Sequence, residues 1–123
     1  MVMLTHNYRF HGHGSLRYLF RKGQTARTRH LMVRYVTNTQ RLHSRCAVVI
    51  SKKVFKSAVK RNRARRRIFE IVRHALPELR ATYDFTITIY SGEVVTMSHD
   101  DLRREVHQLL AAARLLKDNS PAS

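Results

Sequence analysis

Residues 45–76 read RCAVVISKKVFKSAVKRNRARRRIFEIVRHAL, and this stretch decides the fold. Cys46, Ala47, Val48, Val49 and Ile50 form an unbroken apolar run of strand length, the pattern of a central strand covered on both faces. A strand is therefore predicted over 45–51, with Lys52 and Lys53 at its exit. Ser57 is an N-cap by type and Pro77 follows Leu76, which bounds a helix over 57–76. The second half of that helix is amphipathic through Ile68, Phe69, Ile71, Val72, Ala75 and Leu76. The first half is not. Across Lys60 to Arg67 six of eight residues are basic, and with about 100° between successive side chains no apolar face is left for those two turns.

Working outward, Leu31, Val33 and Tyr35 alternate with Met32, Arg34 and Val36, which predicts a strand over 31–37. A polar connection over 38–43 joins it to the central strand. Tyr83, Phe85, Ile87 and Ile89 alternate with Asp84, Thr86, Thr88 and Tyr90, a third strand over 83–90 closed by Ser91-Gly92. Ser98 opens a last helix. Asp100, Asp101 and Glu105 lie near its positive end, and Leu102, Val106, Leu109, Leu110, Ala113 and Leu116 share one side. Ser15 opens a short helix over 15–22, with Leu16, Leu19 and Phe20 at helical spacing before Gly23. Residues 1–14 read as an irregular His-rich arm and 119–123 as a frayed tail. The whole is one α+β domain, 1–118, of sheet packed with helices.

The chain has 123 residues with 24 Lys or Arg against 8 Asp or Glu, a formal +16. Its 43% hydrophobic content supports a buried core. No apolar run reaches membrane-spanning length and the first ten residues lack a secretory apolar region, so a cytoplasmic protein with no membrane partner is expected. Cys46 is the single cysteine, which rules out an internal disulfide or a thiolate zinc cluster and reads as a small buried hydrophobe. The charge is polarised. Residues 1–77 hold 19 of the Lys and Arg and one acid, Glu70.

Such a segment repels itself unless a polyanion neutralises it. Solvated helix faces mix signs to form ion pairs one turn apart, whereas 60–67 has only Glu70 nearby. Arg outnumbers Lys 18 to 6, and guanidinium grips phosphate with two donors and stacks on bases. Folded RNA is the partner this pattern favours. A small ribosomal or ribosome-assembly protein is the alternative class. A DNA-binding module is disfavoured, because the Arg-dense helix has neither a turn-and-recognition-helix partner nor a zipper. Nothing supports a free-standing hydrolase: Asp100 and Asp101 sit where a helix start wants acids, and there is no glycine-rich phosphate loop. His11 and His13 supply at most two metal ligands, so the arm reads as touching RNA, with Tyr8 and Phe10 available for stacking.

The order Ser51-Lys52-Lys53-Val54, then Ala58-Val59-Lys60-Arg61-Asn62-Arg63-Ala64-Arg65-Arg66-Arg67, resembles the signature of the bacterial ribonuclease P protein family, whose core is Arg-Asn-Arg. Weaker agreement at Leu16, Phe20 and Gly23 extends the resemblance over residues 6–115. It implies a four-stranded sheet with the signature helix in a left-handed βαβ crossover, one strand more than the alternation reveals. It also implies that ribonuclease P RNA binds the catalytic Mg2+ and cleaves the 5′ leader from precursor tRNA. The protein then holds the leader and the active RNA conformation, with no catalytic residue of its own.

Carried over, the RNA-binding residues are Lys52, Lys53, Lys56, Lys60, Arg61, Asn62, Arg63, Arg65, Arg66 and Arg67. The leader-binding residues are Leu16, Arg17, Phe20 and Arg34, in a cleft between the first helix and the sheet. Phe20 is open to two roles, core packing or leader stacking; Phe85 reads as core. The chain departs from the family pattern in several places. Leu16 replaces an aromatic residue and cannot stack. Arg34 stands where many relatives carry Tyr, with Tyr35 pointing to the opposite face. Val54-Phe55-Lys56-Ser57 is one residue longer than the common form and lacks its glycine, which predicts a rebuilt helix entry. Phe69 replaces a further Arg and is expected to turn into the core. The His-rich arm stands in place of a Lys/Arg-rich segment.

Overall fold

The structure, a computed structural model, describes residues 13–38, 43–51 and 53–117, with side chains from Tyr18 onward. Most of the arm, residues 39–42, Lys52 and the 119–123 tail lie outside the described residues. Helix α1 spans His13–Lys22, starting two residues before the predicted Ser15, so His13 and Gly14 belong to the helix rather than to the arm. Then follow β1 (Gln24–Arg27), β2 (Leu31–Thr37), β3 (Arg45–Ile50), α2 (Ala58–Ala75), a 3-10 turn (Leu76–Glu78), β4 (Tyr83–Ile89), α3 (Glu93–Thr96) and α4 (His99–Ala112).

The four strands form one sheet in the order β1-β2-β4-β3. Pairs β1/β2 and β2/β4 are antiparallel, while β3/β4 is parallel. A parallel neighbour cannot be reached by a hairpin, so α2 carries the crossover between β3 and β4. Strand β4 is interior, and all seven of its residues are buried.

Register places Leu31, Val33, Phe85, Ile87, Cys46 and Val48 on one face. These side chains pack with Ile68 and Val72 of α2 and with Leu102, Val106 and Leu109 of α4 in a single core. Burial of Cys46 pushes its thiol pKa up, in keeping with an inert core residue. Phe69 is 5% exposed, so it does turn inward as its replacement of Arg predicts. Met32, Arg34 and Val36 occupy the other face, on which α1 lies: Arg34 Nη1 donates to the Phe20 carbonyl at 2.9 Å.

The turn from α1 into β1 requires glycine. A Cβ on Gly23 would lie 2.5 Å from the Leu19 carbonyl oxygen and 3.0 Å from Arg34 Cγ. The Gly23 N–H closes the helix on that same carbonyl at 2.8 Å. Strand β1 escapes periodicity analysis because only Ala26 of its four residues is apolar. It is an edge strand held by backbone pairing with β2. Among the described residues, no helix is long and apolar enough to cross a membrane.

Candidate RNA interface

The basic half of α2 begins as the sequence demands. Ser57 is the N-cap, its Oγ accepting from the Lys60 N–H at 3.4 Å. The entry to α2 packs around Phe55, which is buried and against which a Gly92 Cβ would make ordinary contact. Lys53 and Lys56 are left exposed on the approach.

The inward stripe of α2 reaches further up than the basic run suggests. Ala64 is fully buried and continues Ile68 and Val72 at four-residue spacing. The expectation that residues 60–67 have no core-facing side is therefore corrected: one small apolar residue provides it. Asn62, Arg63 and Arg66 are exposed and fall within about 100° on the side away from that stripe. Arg61 and Arg65 are half-buried on one flank, where Arg65 donates to Asn62 Oδ1 at 3.2 Å.

Arg67, on the other flank, is a second correction. Its guanidinium donates to the carbonyls of Val94 (2.7 Å), Val95 (2.9 Å) and Met97 (2.6 Å). The short helix α3 leaves its C-terminal carbonyls without intrahelical donors, and Arg67 caps them. Desolvation, then the neighbouring charge of Arg63, lowers its pKa from the usual arginine value. Arg67 belongs to the fold rather than to the outward face.

Glu70 is the one acid of α2. Its Oε1 is taken by Arg73 at 3.0 Å and His74 at 3.2 Å, towards the other end of the helix. These contacts, Arg73 first, hold its carboxyl below the ordinary range. A groove of about 450 Å³ runs beside α2, lined by Val59, Arg63, Arg66, Arg67, Glu70 and His99.

The opposite face of the sheet holds the second group. Phe20 is 46% exposed, and the Arg34 guanidinium carbon stands 5.0 Å above its ring. The structure thus brings together two of the four residues expected in the leader cleft. Leu16 and Arg17 fall within α1, and their side chains lie outside the described ones. Further along this face Arg45 binds Asp84 through two bonds, of 3.0 and 2.8 Å, and Asn38 Nδ2 donates to the same carboxylate at 2.7 Å.

A buried polar cluster had no sequence signal. His30 Nδ1 lies 2.6 Å from Glu105 Oε1, and its Nε2 lies 2.7 Å from Glu93 Oε2. The His30 N–H (2.9 Å) and Thr28 Oγ1 (2.7 Å) both donate to Glu105 Oε2. Both ring nitrogens face carboxylates, so the imidazolium, with two donors, is the form that satisfies them. The bond to Glu105 raises the His30 pKa above 6.5. Burial alone would raise the Glu105 carboxyl, but the bonds from His30 and Thr28 outweigh it and hold it below 4.5. Thr28 and His30 lie more than sixty positions from the two acids, beyond any local pattern.

Comparison with known proteins gives a consistent result. The family model described as Ribonuclease P matches residues 4–114. The ribonuclease P protein component of Chloroflexus aurantiacus is 43% identical over 81 residues, 66% of this chain and 59% of that protein. The chain thus spans less than two thirds of that relative. The component of Synechococcus elongatus is 33% identical over 101 residues, covering 80% of this chain and 83% of its own. In fold, the chain is similar to the ribonuclease P protein of Staphylococcus aureus, with TM-score 0.78 and 21% identity over 89% of this chain and 98% of that one. The Thermotoga maritima protein gives TM-score 0.73 and 19% identity, again over 89% and 98%.

Proposed function

The chain belongs to the ribonuclease P protein family, and on that premise we propose that it is the RNA-binding subunit of ribonuclease P. In the cytoplasm it docks on the catalytic RNA and holds the 5′ leader of precursor tRNA while the RNA removes it. The observation that carries this reading is the outward face of α2, where Asn62, Arg63 and Arg66 stand exposed while the adjacent acid is tied to Arg73 and His74. Lys53, Lys56, Lys60, Arg61 and Arg65 extend that surface, with Lys52 at its margin by sequence. Exposed positive charge becomes affinity when phosphate contacts release counterions.

Phe20 and Arg34 form the leader-holding pair, a ring and a guanidinium that both accept a stacked base. The protein contributes binding and orientation. The catalytic Mg2+ is assigned to the RNA, and no chemical step is assigned to the protein. A ribosome-assembly role would use the same charge, but it gives no reason for the Arg61-Asn62-Arg63 signature.

The test combines the purified chain with a bacterial ribonuclease P RNA and follows precursor-tRNA cleavage at low magnesium, with and without a leader. The chain should restore cleavage and favour the leader-bearing substrate. If neither rate responds, the assignment is wrong.

A further inference from the structure

A second aromatic-guanidinium stack stands on the sheet face that carries Phe20 and Arg34. The Arg27 guanidinium carbon lies 4.6 Å above the ring of Tyr90, and the Tyr90 hydroxyl contacts Met32 Sδ at 3.6 Å. Register fixes the side: Arg27 is opposite Met32, and Thr25 is opposite Arg34. Met32 and Arg34 are two residues apart on β2 and so share a face, the one α1 lies on. Both rings remain accessible, Phe20 at 46% and Tyr90 at 39% exposure, so a guanidinium on one side closes off neither.

The Tyr90 N–H bonds to the His30 carbonyl, four residues along the sheet from the Arg34 row, about 13 Å of strand, a span that an extended nucleotide strand covers in about two steps. Exposed Arg21 and Lys22 at the end of α1, and Arg27 and Arg29 around the β1–β2 turn, surround this face with positive charge. Glu93, the nearest acid in sequence, is engaged by His30. Exposed aromatic rings within a basic surface are what single-stranded nucleic acid is held by. A protein partner would instead seek an apolar, charge-depleted centre.

We propose that Arg27 and Tyr90 form a second base-stacking subsite, so that single-stranded RNA runs along the outer sheet face from the Phe20–Arg34 pair towards the β1–β2 turn. The inference rests on the leader-holding reading above and extends it along the same face. Tyr90 holds the base by its ring, and Arg27 covers the ring while meeting a phosphate.

Two measurements on the full chain test it. In the first, a fluorescent single-stranded RNA is titrated with the wild-type protein and with Tyr90→Leu, Tyr90→Phe and Arg27→Gln. Tyr90→Leu should weaken binding about fivefold or more, the lower range for one lost base–aromatic stack. Tyr90→Phe should bind as wild type, and Arg27→Gln should flatten the salt dependence. Thermal midpoints, compared alongside, should not move. Wild-type affinity in Tyr90→Leu, or equal loss in Tyr90→Phe, overturns the proposal.

The second measurement uses ribonuclease P RNA and precursors whose leaders lengthen one nucleotide at a time. The effect of Tyr90→Leu should begin at a longer leader than that of Phe20→Leu. If wild type favours leader-bearing substrate yet Tyr90→Leu matches it at every length, the subsite is refuted while the function stands. If wild type ignores the leader altogether, the functional reading fails, and the first titration still decides whether Tyr90 stacks on RNA.

Discussion

Arg63 and Arg67 are four residues apart in the same basic run, yet the structure assigns them opposite work. Removing each in turn should separate folding from binding. The Arg67 guanidinium donates three bonds to the carbonyls of Val94, Val95 and Met97. Truncation to Ala removes those bonds and leaves three acceptors at the end of α3 uncapped. Hydrogen bonds to a charged group contribute about 1.5–3 kcal/mol each where water is excluded, but Arg67 is only half-buried and water can replace part of the loss. A net cost of about 2 kcal/mol is expected. For a domain between the 100- and 150-residue classes, each kcal/mol shifts the midpoint by roughly 3–5 °C. Arg67→Ala should therefore melt about 6–10 °C lower. Arg63 is exposed, so Arg63→Ala should melt within about 2 °C of wild type, as surface substitutions do. Binding should show the reverse. Arg63→Ala should reduce the slope of log K against log salt for the catalytic RNA by about 0.7–0.9, one phosphate contact. Arg67→Ala, assayed well below its midpoint, should leave the slope unchanged. Calorimetry and filter binding across a salt series provide both readouts. An Arg67→Ala protein with wild-type stability and a flattened slope would refute the assignment of its donors to α3.

Three further outcomes follow from the geometry. His30 has a folded pKa raised above 6.5, so its contribution to stability is complete below that value and is lost as pH rises through the raised one. Glu105, held below 4.5, contributes above its ordinary value and loses that contribution as pH falls through the lowered one. Urea unfolding across pH should show stability declining as pH rises above 6.5 and through the raised His30 pKa, and His30→Gln should abolish that decline; an unchanged profile would place its source elsewhere. Gly23→Ala forces a Cβ to 2.5 Å from a backbone carbonyl and should lower stability by about 1–3 kcal/mol in denaturant titration, with Phe20 and Arg34 losing their alignment. Arg114, with φ of 60°, occupies the left-handed turn after α4 that favours glycine. Arg114→Gly should raise stability by about 0.5–1 kcal/mol, read from the urea midpoint.

What the sequence reveals about this fold depends on how far apart the interacting residues stand. The strand before α2, the cap at Ser57 and the inward turn of Phe69 are local, since each is set by neighbours within two helical turns. Strand β1 is not local. Its placement is decided by backbone pairing to β2, and its side chains carry no alternation to report it. The short helix α3 is likewise fixed by Arg67, about thirty residues away in sequence, and by His30, 63 residues away. Ala64 is the instructive intermediate. Its spacing to Ile68 and Val72 continues the apolar stripe by one more turn, a signal present in the sequence but swamped by the arginines around it.

Ala64 also explains how a helix this basic can dock at all. A bulky side chain at that position would lift the N-terminal turns away from the core, whereas a fully buried alanine lets the backbone sit close beneath them. Close approach on one side restricts the remaining positions to the outer arc and the flanks, and the flank nearest α3 is occupied by Arg67. The outward trio of Asn62, Arg63 and Arg66 is therefore a consequence of packing as much as of composition. Changing Ala64 to Leu should disturb RNA binding without altering a single charge: the helix would have to tilt or shift to admit the added atoms, and the arginines would lose their common face. A variant that remained folded by circular dichroism and bound the catalytic RNA with wild-type affinity would show that charge alone, rather than its fixed presentation, governs the docking of this helix.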